Sequence, residues 1–231
     1  MTGITSGERR SVLLIVGTDT GVGKTWTGCA LARVLCRSGR RVVAVKPLET
    51  GCSGAPTEAE DGVALARATG QADPSWALMR FRDPVAPPVA ADREGRRIEF
   101  DEIVRRIREY AASAEITLVE GAGGLLSPLT WERSAVDLAQ ALDARVLLVA
   151  TDRLGTISHT LMALKVLDLN RLDTLGVVLT APEQMDASTG SNAAAISRLS
   201  GCPRILCAPR THDPKRISDC MEEVTRWLNL A

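Results

Sequence analysis

With 231 residues, 45% of them hydrophobic, the chain is long enough to bury a core without disulfides and is read as one domain over 1–231. Its 28 basic and 28 acidic residues cancel, which argues against a nucleic-acid surface, and no stretch has the length of a membrane span or the pattern of a signal peptide. The six cysteines, Cys29, Cys36, Cys52, Cys202, Cys207 and Cys220, form no C-x-x-C pair and read as reduced thiols of a cytoplasmic protein.

Residues 1–10 read as a loose tail. Val12–Val16 is a short apolar run that suits a strand buried on both faces. Gly17, Gly21 and Gly23 then permit a tight loop, and Lys24-Thr25 open a helical pattern with Leu31, Val34 and Leu35 on its apolar face. A glycine-rich loop between strand and helix turns backbone N–H groups around a phosphate chain, and the helix dipole adds to the attraction. Lys24 is placed for the β- and γ-phosphates and Thr25 for Mg²⁺. The loop departs from G-x-x-x-x-G-K-[ST] in one respect: Thr18 stands where glycine is wanted, and Gly17 lies one residue earlier.

Arg41–Lys46 is the second strand, stopped by Pro47, with Gly51 allowing a sharp turn in Lys46-Pro47-Leu48-Glu49-Thr50-Gly51. Lys46 either holds a second anionic group beside the phosphate loop or simply caps a strand. Asp61, early in a helix, is either an acid favoured by the helix dipole or a Mg²⁺ ligand, and spacing leaves both open. Asp83–Ala91 is proline-rich and reads as an ordered loop or lid. Arg93, Arg96, Arg97, Arg105, Arg106 and Arg108 are interleaved with Glu94, Glu99, Asp101, Glu102 and Glu109, so this stretch is a solvated mixed face. Ile103, Ile107 and Tyr110 mark its helix.

The third strand, Ile116–Glu120, delivers Glu120 as a metal-holding acid, and glycines in Gly121-Ala122-Gly123-Gly124 allow close backbone approach to a ligand. Arg145–Thr151 is the fourth strand, followed by Asp152, Arg153 and a helix start at Gly155-Thr156-Ile157-Ser158, with Ile157, Leu161, Leu164 and Leu167 on its apolar face. Free N–H groups there can receive a carboxylate, and Thr156 or Ser158 can cap the helix. His159 and His212 are the only histidines, and His159 is either a proton shuttle or, the preferred reading, structural or exposed. Leu175–Thr180 and Arg204–Ala208 complete the strands, and Ile217, Met221, Val224 and Leu228 mark the last helix. Strands alternating with helices predict an α/β fold, a mainly parallel sheet covered on both faces, with ligands beyond the carboxyl ends of its strands.

GTDTGVGKT, KPLETG, VEGAGG and LGTISH, in this order and spacing, resemble the dethiobiotin synthetases over essentially the whole chain after residue 11. The resemblance implies a P-loop NTPase-like domain that carboxylates 7,8-diaminononanoate with CO₂ and closes the ureido ring, using ATP and Mg²⁺. It implies Thr25, Asp61 and Glu120 as metal ligands, Lys46 and Lys24 as catalytic lysines, and Thr20 and Thr50 against the diamine or its carbamate. Gly21, Val22, Gly23, Lys24, Thr25 and Trp26 would wrap the triphosphate, with Glu120, Gly121, Ala122 and Gly123 lining the same site. The substrate carboxylate would be received at Gly155–Ser158 of a partner subunit, which implies a homodimer. Where many members carry an adenine-reading Asn, this chain has Thr180-Ala181-Pro182, with Ala208-Pro209-Arg210 on the other side of the base, so base selectivity is expected to be relaxed. Two other readings share the loop: an amidation domain of the cobyrinic acid diamide synthase type, and a ParA/MinD-like ATPase switch. The first normally continues into a glutaminase domain, and the second carries a lysine near position 19, which is Asp19 here.

Overall fold

The computed structural model describes residues 11–211 and 213–229. In chain order the elements are β1 (Ser11–Gly17), α1 (Lys24–Arg37), β2 (Val42–Val45), β3 (Leu48–Thr50), α2 (Asp61–Thr69), β4 (Met79–Phe81), α3 (Pro87–Arg93), α4 (Phe100–Ser113), β5 (Ile116–Gly124), α5 (Ala135–Leu142), β6 (Arg145–Thr151), α6 (Thr156–Leu169), β7 (Thr174–Thr180), α7 (Asn192–Ser200), β8 (Ile205–Ala208) and α8 (Pro214–Trp227). Six strands form one sheet in the order β2-β5-β1-β6-β7-β8, every neighbouring pair parallel.

Side chains alternate across a strand, so each strand feeds two cores. Leu13 and Ile15 of β1 join Leu31 and Leu35 of α1, Leu65 of α2 and Met221, Val224 and Trp227 of α8. Leu14 and Val16 join Ile103 and Ile107 of α4, Leu138 of α5, Leu167 of α6 and Ile196 of α7 on the other face. A sheet covered on both faces needs apolar strands throughout, which is why its central strands read as unbroken apolar runs. Trp227 packs so closely on β7 that a Cβ at Gly176 would lie 2.6 Å from its ring and 2.7 Å from the Arg204 carbonyl oxygen. Four arginines of the mixed-charge stretch are paired with acids, Arg93 with Asp83, Arg96 with Glu94, Arg97 with Glu99 and Arg105 with Glu102.

Three expectations are corrected. The proline-rich stretch is not a loop throughout: Pro87 and Pro88 start α3, where the N–H groups they lack would have no intrahelical partner. β5 does not end at Glu120 but runs on through Gly124. Neither Thr156 nor Ser158 caps α6: Gly155 is the N-cap residue, at φ 91°, and no side chain bonds the helix start. A short pair, β3 and β4, was not legible in the sequence. Its backbone forms a parallel two-stranded sheet, Glu49 opposite Arg80, beside the main one. The expected N-terminal tail and His212 lie outside the described residues.

Candidate active site

The loop after β1 is held from several sides. A Cβ at Gly17 would lie 2.5 Å from the Asp19 carbonyl oxygen and 3.1 Å from Lys24 Nζ, so Gly17 takes the close approach that the shorter motif assigns to a glycine at 18. Gly21 and Gly23 have φ of 74° and 91°, backbone that glycine adopts without strain. Gly23 caps α1 without a side chain, leaving the first-turn N–H groups free of any side-chain cap. Lys24 Nζ donates to the Asp19 carbonyl at 2.9 Å. Burial, and then the nearby Lys46 ammonium, pull the Lys24 pKa down. From the other side the Thr180 hydroxyl donates to the Val22 carbonyl at 2.8 Å. Its methyl would stand 2.8 Å from a Cβ at Gly23.

At the start of α1 the loop meets an acid–lysine cluster. Thr25 Oγ1 lies 2.7 Å from Asp61 Oδ1 and 3.0 Å from Glu120 Oε1. Lys46 Nζ lies 2.7 Å from Asp61 Oδ2 and 2.6 Å from Glu120 Oε1. Lys46 is 5% exposed and Glu120 1%. Burial pulls the Lys46 ammonium down, but the Glu120 and Asp61 carboxylates outweigh it and raise its pKa above the ordinary lysine value. Burial raises the Glu120 carboxyl, against the opposing pull of Lys46. Asp61 is also pushed up by burial, yet the Lys46 ammonium and its hydrogen bond leave it below the usual range. The two readings of Asp61 are therefore compatible: it opens α2 and its carboxylate turns into the cluster.

The residues around Thr25 suit a divalent cation. One hydroxyl and two carboxylates converge, an all-oxygen set of the kind Mg²⁺ prefers. Glu120 Oε2 is buried with no hydrogen-bond partner, so the carboxylate has capacity its protein neighbours do not use.

Other expected residues lie around this centre. Thr20 Oγ1 would stand 3.7 Å from a Cβ at Gly123, so the phosphate loop and the end of β5 face each other. Gly123 has φ 66°, and Ser127 Oγ accepts the Gly124 N–H at 2.8 Å, a contact that fixes the Gly121–Gly124 segment. Thr50 ends β3, and Gly51 follows at φ 81°. Gly155, Thr156, Ile157 and Ser158 follow β6, and the residues just before them are tied to the segment leading into α7 and to its first residue: the Asp152 carboxylate accepts from Gly190 N–H and Asn192 Nδ2, and Asp186 accepts from Leu154 N–H. His159 is exposed. Ala181 N–H donates to the Ala208 carbonyl at 3.0 Å, and Arg210 pairs with Glu183 at 3.3 Å, which joins the two flanks assigned to the base. All six cysteines are free.

One site residue was missed. Glu49, 8% exposed, accepts the N–H groups of Asp61 at 2.5 Å and Gly62 at 3.0 Å. Its position next to Leu48 gives no periodic signal, because β3 is only three residues long.

A family model described as an AAA domain matches residues 11–217. A protein of Anaeromyxobacter dehalogenans named ATP-dependent dethiobiotin synthetase BioD is 43% identical over 192 residues, covering 81% of this chain and 84% of that one. Its namesake in Rhodococcus erythropolis is 37% identical over 220 residues, covering 94% and 95%. Among solved structures, a ParA family ATPase from Chlorobium tepidum superposes with TM-score 0.58 at 15% identity over 97% and 94% of the two chains. The cell division ATPase MinD of Pyrococcus furiosus gives 0.55 at 18% identity over 94% and 99%. At those identities the likeness concerns the fold, which is that of the P-loop NTPases. The identity to the synthetases, spread over most of the chain, places it more narrowly: the chain belongs to the ATP-dependent dethiobiotin synthetase family and is an ATP-dependent ligase of the biotin pathway.

Proposed function

We propose that this enzyme converts 7,8-diaminononanoate, CO₂ and ATP into dethiobiotin, ADP and phosphate. The observation that carries the reading is the meeting of Lys46 with Thr25, Asp61 and Glu120 beside the phosphate loop. One amine of the substrate adds CO₂ and loses a proton to give a carbamate. The carbamate oxygen attacks the γ-phosphorus and ADP leaves, giving a carbamic–phosphoric anhydride. The second amine then attacks the carbamoyl carbon, phosphate leaves, and the ureido ring is closed.

Two anions must approach one another in the phosphorylation step, so the site has to supply positive charge where they meet. Lys24, from the loop, and Lys46, from the end of β2, supply it from two directions. Asp61 and Glu120 keep Lys46 protonated at neutral pH. Thr25, Asp61 and Glu120 would hold Mg²⁺, which supplies further charge neutralisation on the phosphate oxygens. Thr20 and Thr50 would hold the diamine or its carbamate. Gly21–Trp26 and Glu120–Gly123 would line the triphosphate, with Thr180, Ala181, Ala208, Pro209 and Arg210 around the base.

Residues Gly155–Ser158 would take the substrate carboxylate from a partner protomer, making the enzyme a homodimer with composite sites. In support, Leu154 is 80% exposed, and Met162 and Leu169, seven residues apart on one side of α6, are 57% and 70% exposed. No helix among the described residues is long and apolar enough to cross a membrane. We place the enzyme in the cytoplasm. We read the whole chain as one synthetase domain.

The test is direct. Purified protein with Mg²⁺, ATP, labelled bicarbonate and 7,8-diaminononanoate should yield dethiobiotin carrying acid-stable label, identified by mass. ATP hydrolysis without a ureido product would overturn the substrate assignment and favour a switch or an amidating enzyme.

A further inference from the structure

α2 starts in an unusual way. Its N-cap residue, Glu60, makes no side-chain bond to the helix. The Glu60 carboxylate is instead committed to Arg80, whose Nε and Nη2 donate to it at 2.6 and 2.7 Å, and to the Thr57 N–H at 3.1 Å. The first N–H groups of a helix have no intrahelical acceptor, and leaving one unpaired in a buried position costs about 1–3 kcal/mol. Here the acceptor comes from another element: Glu49 of β3 reaches across, one carboxylate oxygen for the Asp61 N–H and the other for Gly62.

The cap acts at the residue that matters. Asp61 is both the first residue of α2 and the carboxylate that meets Thr25 and Lys46. Gly62, next to it, is wedged against the chain before β4, a Cβ there lying 2.3 Å from the Ala77 nitrogen. Backbone on one side and Glu49 on the other leave the start of α2 little freedom. Glu49 is bonded to the Asp61 and Gly62 amides and meets the Lys46 ammonium only as a nearby charge, so its hold on the cluster passes mainly through Asp61.

The geometry points to Glu49 as a positioning residue for the reaction: by holding the Asp61 and Gly62 amides it sets the place of the Asp61 carboxylate, and through it the Lys46 ammonium and the metal-holding oxygens. The metal part rests on the functional reading above. Two neighbours could suggest another role, because Glu49, Cys52 and Glu60 bring ligand atoms close together. Both carboxylates of that group are already engaged, Glu60 by Arg80 and Glu49 by the Asp61 and Gly62 amides.

The test uses Glu49→Ala, Glu49→Gln, Asp61→Asn and the double variant E49A/D61N. Three quantities are read: kcat for dethiobiotin formation, Mn²⁺ affinity of the ADP complex by electron paramagnetic resonance, and Tm. Loss of an outer partner of a metal-holding group typically lowers affinity or activity about 10–100-fold. E49A is expected at the low end of that range in kcat and in Mn²⁺ affinity, with KM for ATP nearly unchanged. E49Q keeps one acceptor oxygen and should recover part of the loss. The double variant should be no worse than D61N, because both changes remove one function. Losses that multiply in the double variant overturn the proposal, and so does an E49A protein that has only a lowered Tm. If E49A does not fold, E49Q and E49Q/D61N carry the same comparison. Were the unsubstituted protein to make no dethiobiotin, the substrate assignment would fail, while Mn²⁺ affinity and Tm would still report on Glu49.

Discussion

Lys46 and Glu120 stand side by side because β2 and β5 run parallel with Val45 opposite Val119, so the next residue of each strand meets the other, 2.6 Å apart. The pairing is set by sheet register, not by a flexible loop. A lysine fixed in this way is suited to one task at one place.

Replacing Lys46 separates its role from that of Lys24. Lys46→Ala should bind ADP with nearly unchanged affinity and lose about 10²–10³-fold in kcat, because its charge acts where carbamate meets phosphate. Lys24→Ala should weaken nucleotide binding and turnover together, since Lys24 belongs to the loop itself. Calorimetric titration with ADP and steady-state kinetics read both. Unchanged kcat with a raised KM in Lys46→Ala would refute its assignment.

The base should be chosen loosely. The stretch Val178–Pro182 around the end of β7 carries no Asn, and the Thr180 hydroxyl is bonded to the Val22 carbonyl. CTP and GTP are therefore expected to bind within about tenfold of ATP, a difference of about 1.4 kcal/mol. Competitive titration against ADP checks this, and binding of adenine nucleotides alone overturns it.

Gly176 is a packing requirement remote from the chemistry. A methyl at this position meets Trp227 and the Arg204 carbonyl, both too close to accommodate it without a shift. Gly176→Ala should cost about 1–3 kcal/mol of stability. Thermal unfolding would show it as a drop of roughly 2–4 °C for each kcal/mol in a chain of this size. The kcat of the folded variant should not change.

Acid sensitivity should be traceable to α5. Ser134 and Asp137 form a reciprocal cap there, the Asp137 carboxylate accepting the Ser134 N–H at 2.8 Å. Burial raises the Asp137 pKa, but that bond, the Ser134 hydroxyl and Arg133 leave it below the ordinary value. A carboxyl depressed in the folded state stabilises the protein above its unfolded pKa of about 3.9 and loses that contribution as pH falls through the folded value. Asp137→Asn should therefore cost about 1 kcal/mol at pH 7, and its gap from the unsubstituted protein should narrow as the pH falls below the unfolded value of about 3.9. Urea unfolding at pH 7 and pH 3 reads the two gaps; a gap that stays constant excludes the charge as the cause.

The parts of the site that were legible in the sequence are those where one residue type is demanded at one spacing. Gly23-Lys24-Thr25 and Lys46 each follow a strand, where parallel sheets put ligands, and Glu120 closes the apolar part of a third run, within β5. What the sequence hid depends on tertiary pairing. Glu49 looks like any surface glutamate until β3 and α2 come together. Pro87 and Pro88 argue against helix anywhere except at a helix start, and nothing local says that a helix starts there. The tie from the Thr180 hydroxyl to the Val22 carbonyl was hidden for the same reason, because only the folded loop brings that carbonyl within its reach.

That Thr180 contact has a mechanical consequence. In a trans peptide the carbonyl and the following N–H point in opposite directions. Anchoring the Val22 carbonyl toward β7 therefore aims the Gly23 N–H away from β7. The sheet's outer half thus acts as a splint for the phosphate loop. A loop splinted during folding has less freedom left to lose when its anion arrives, so the affinity of the loop is in part a property of the strand that reaches it through Thr180.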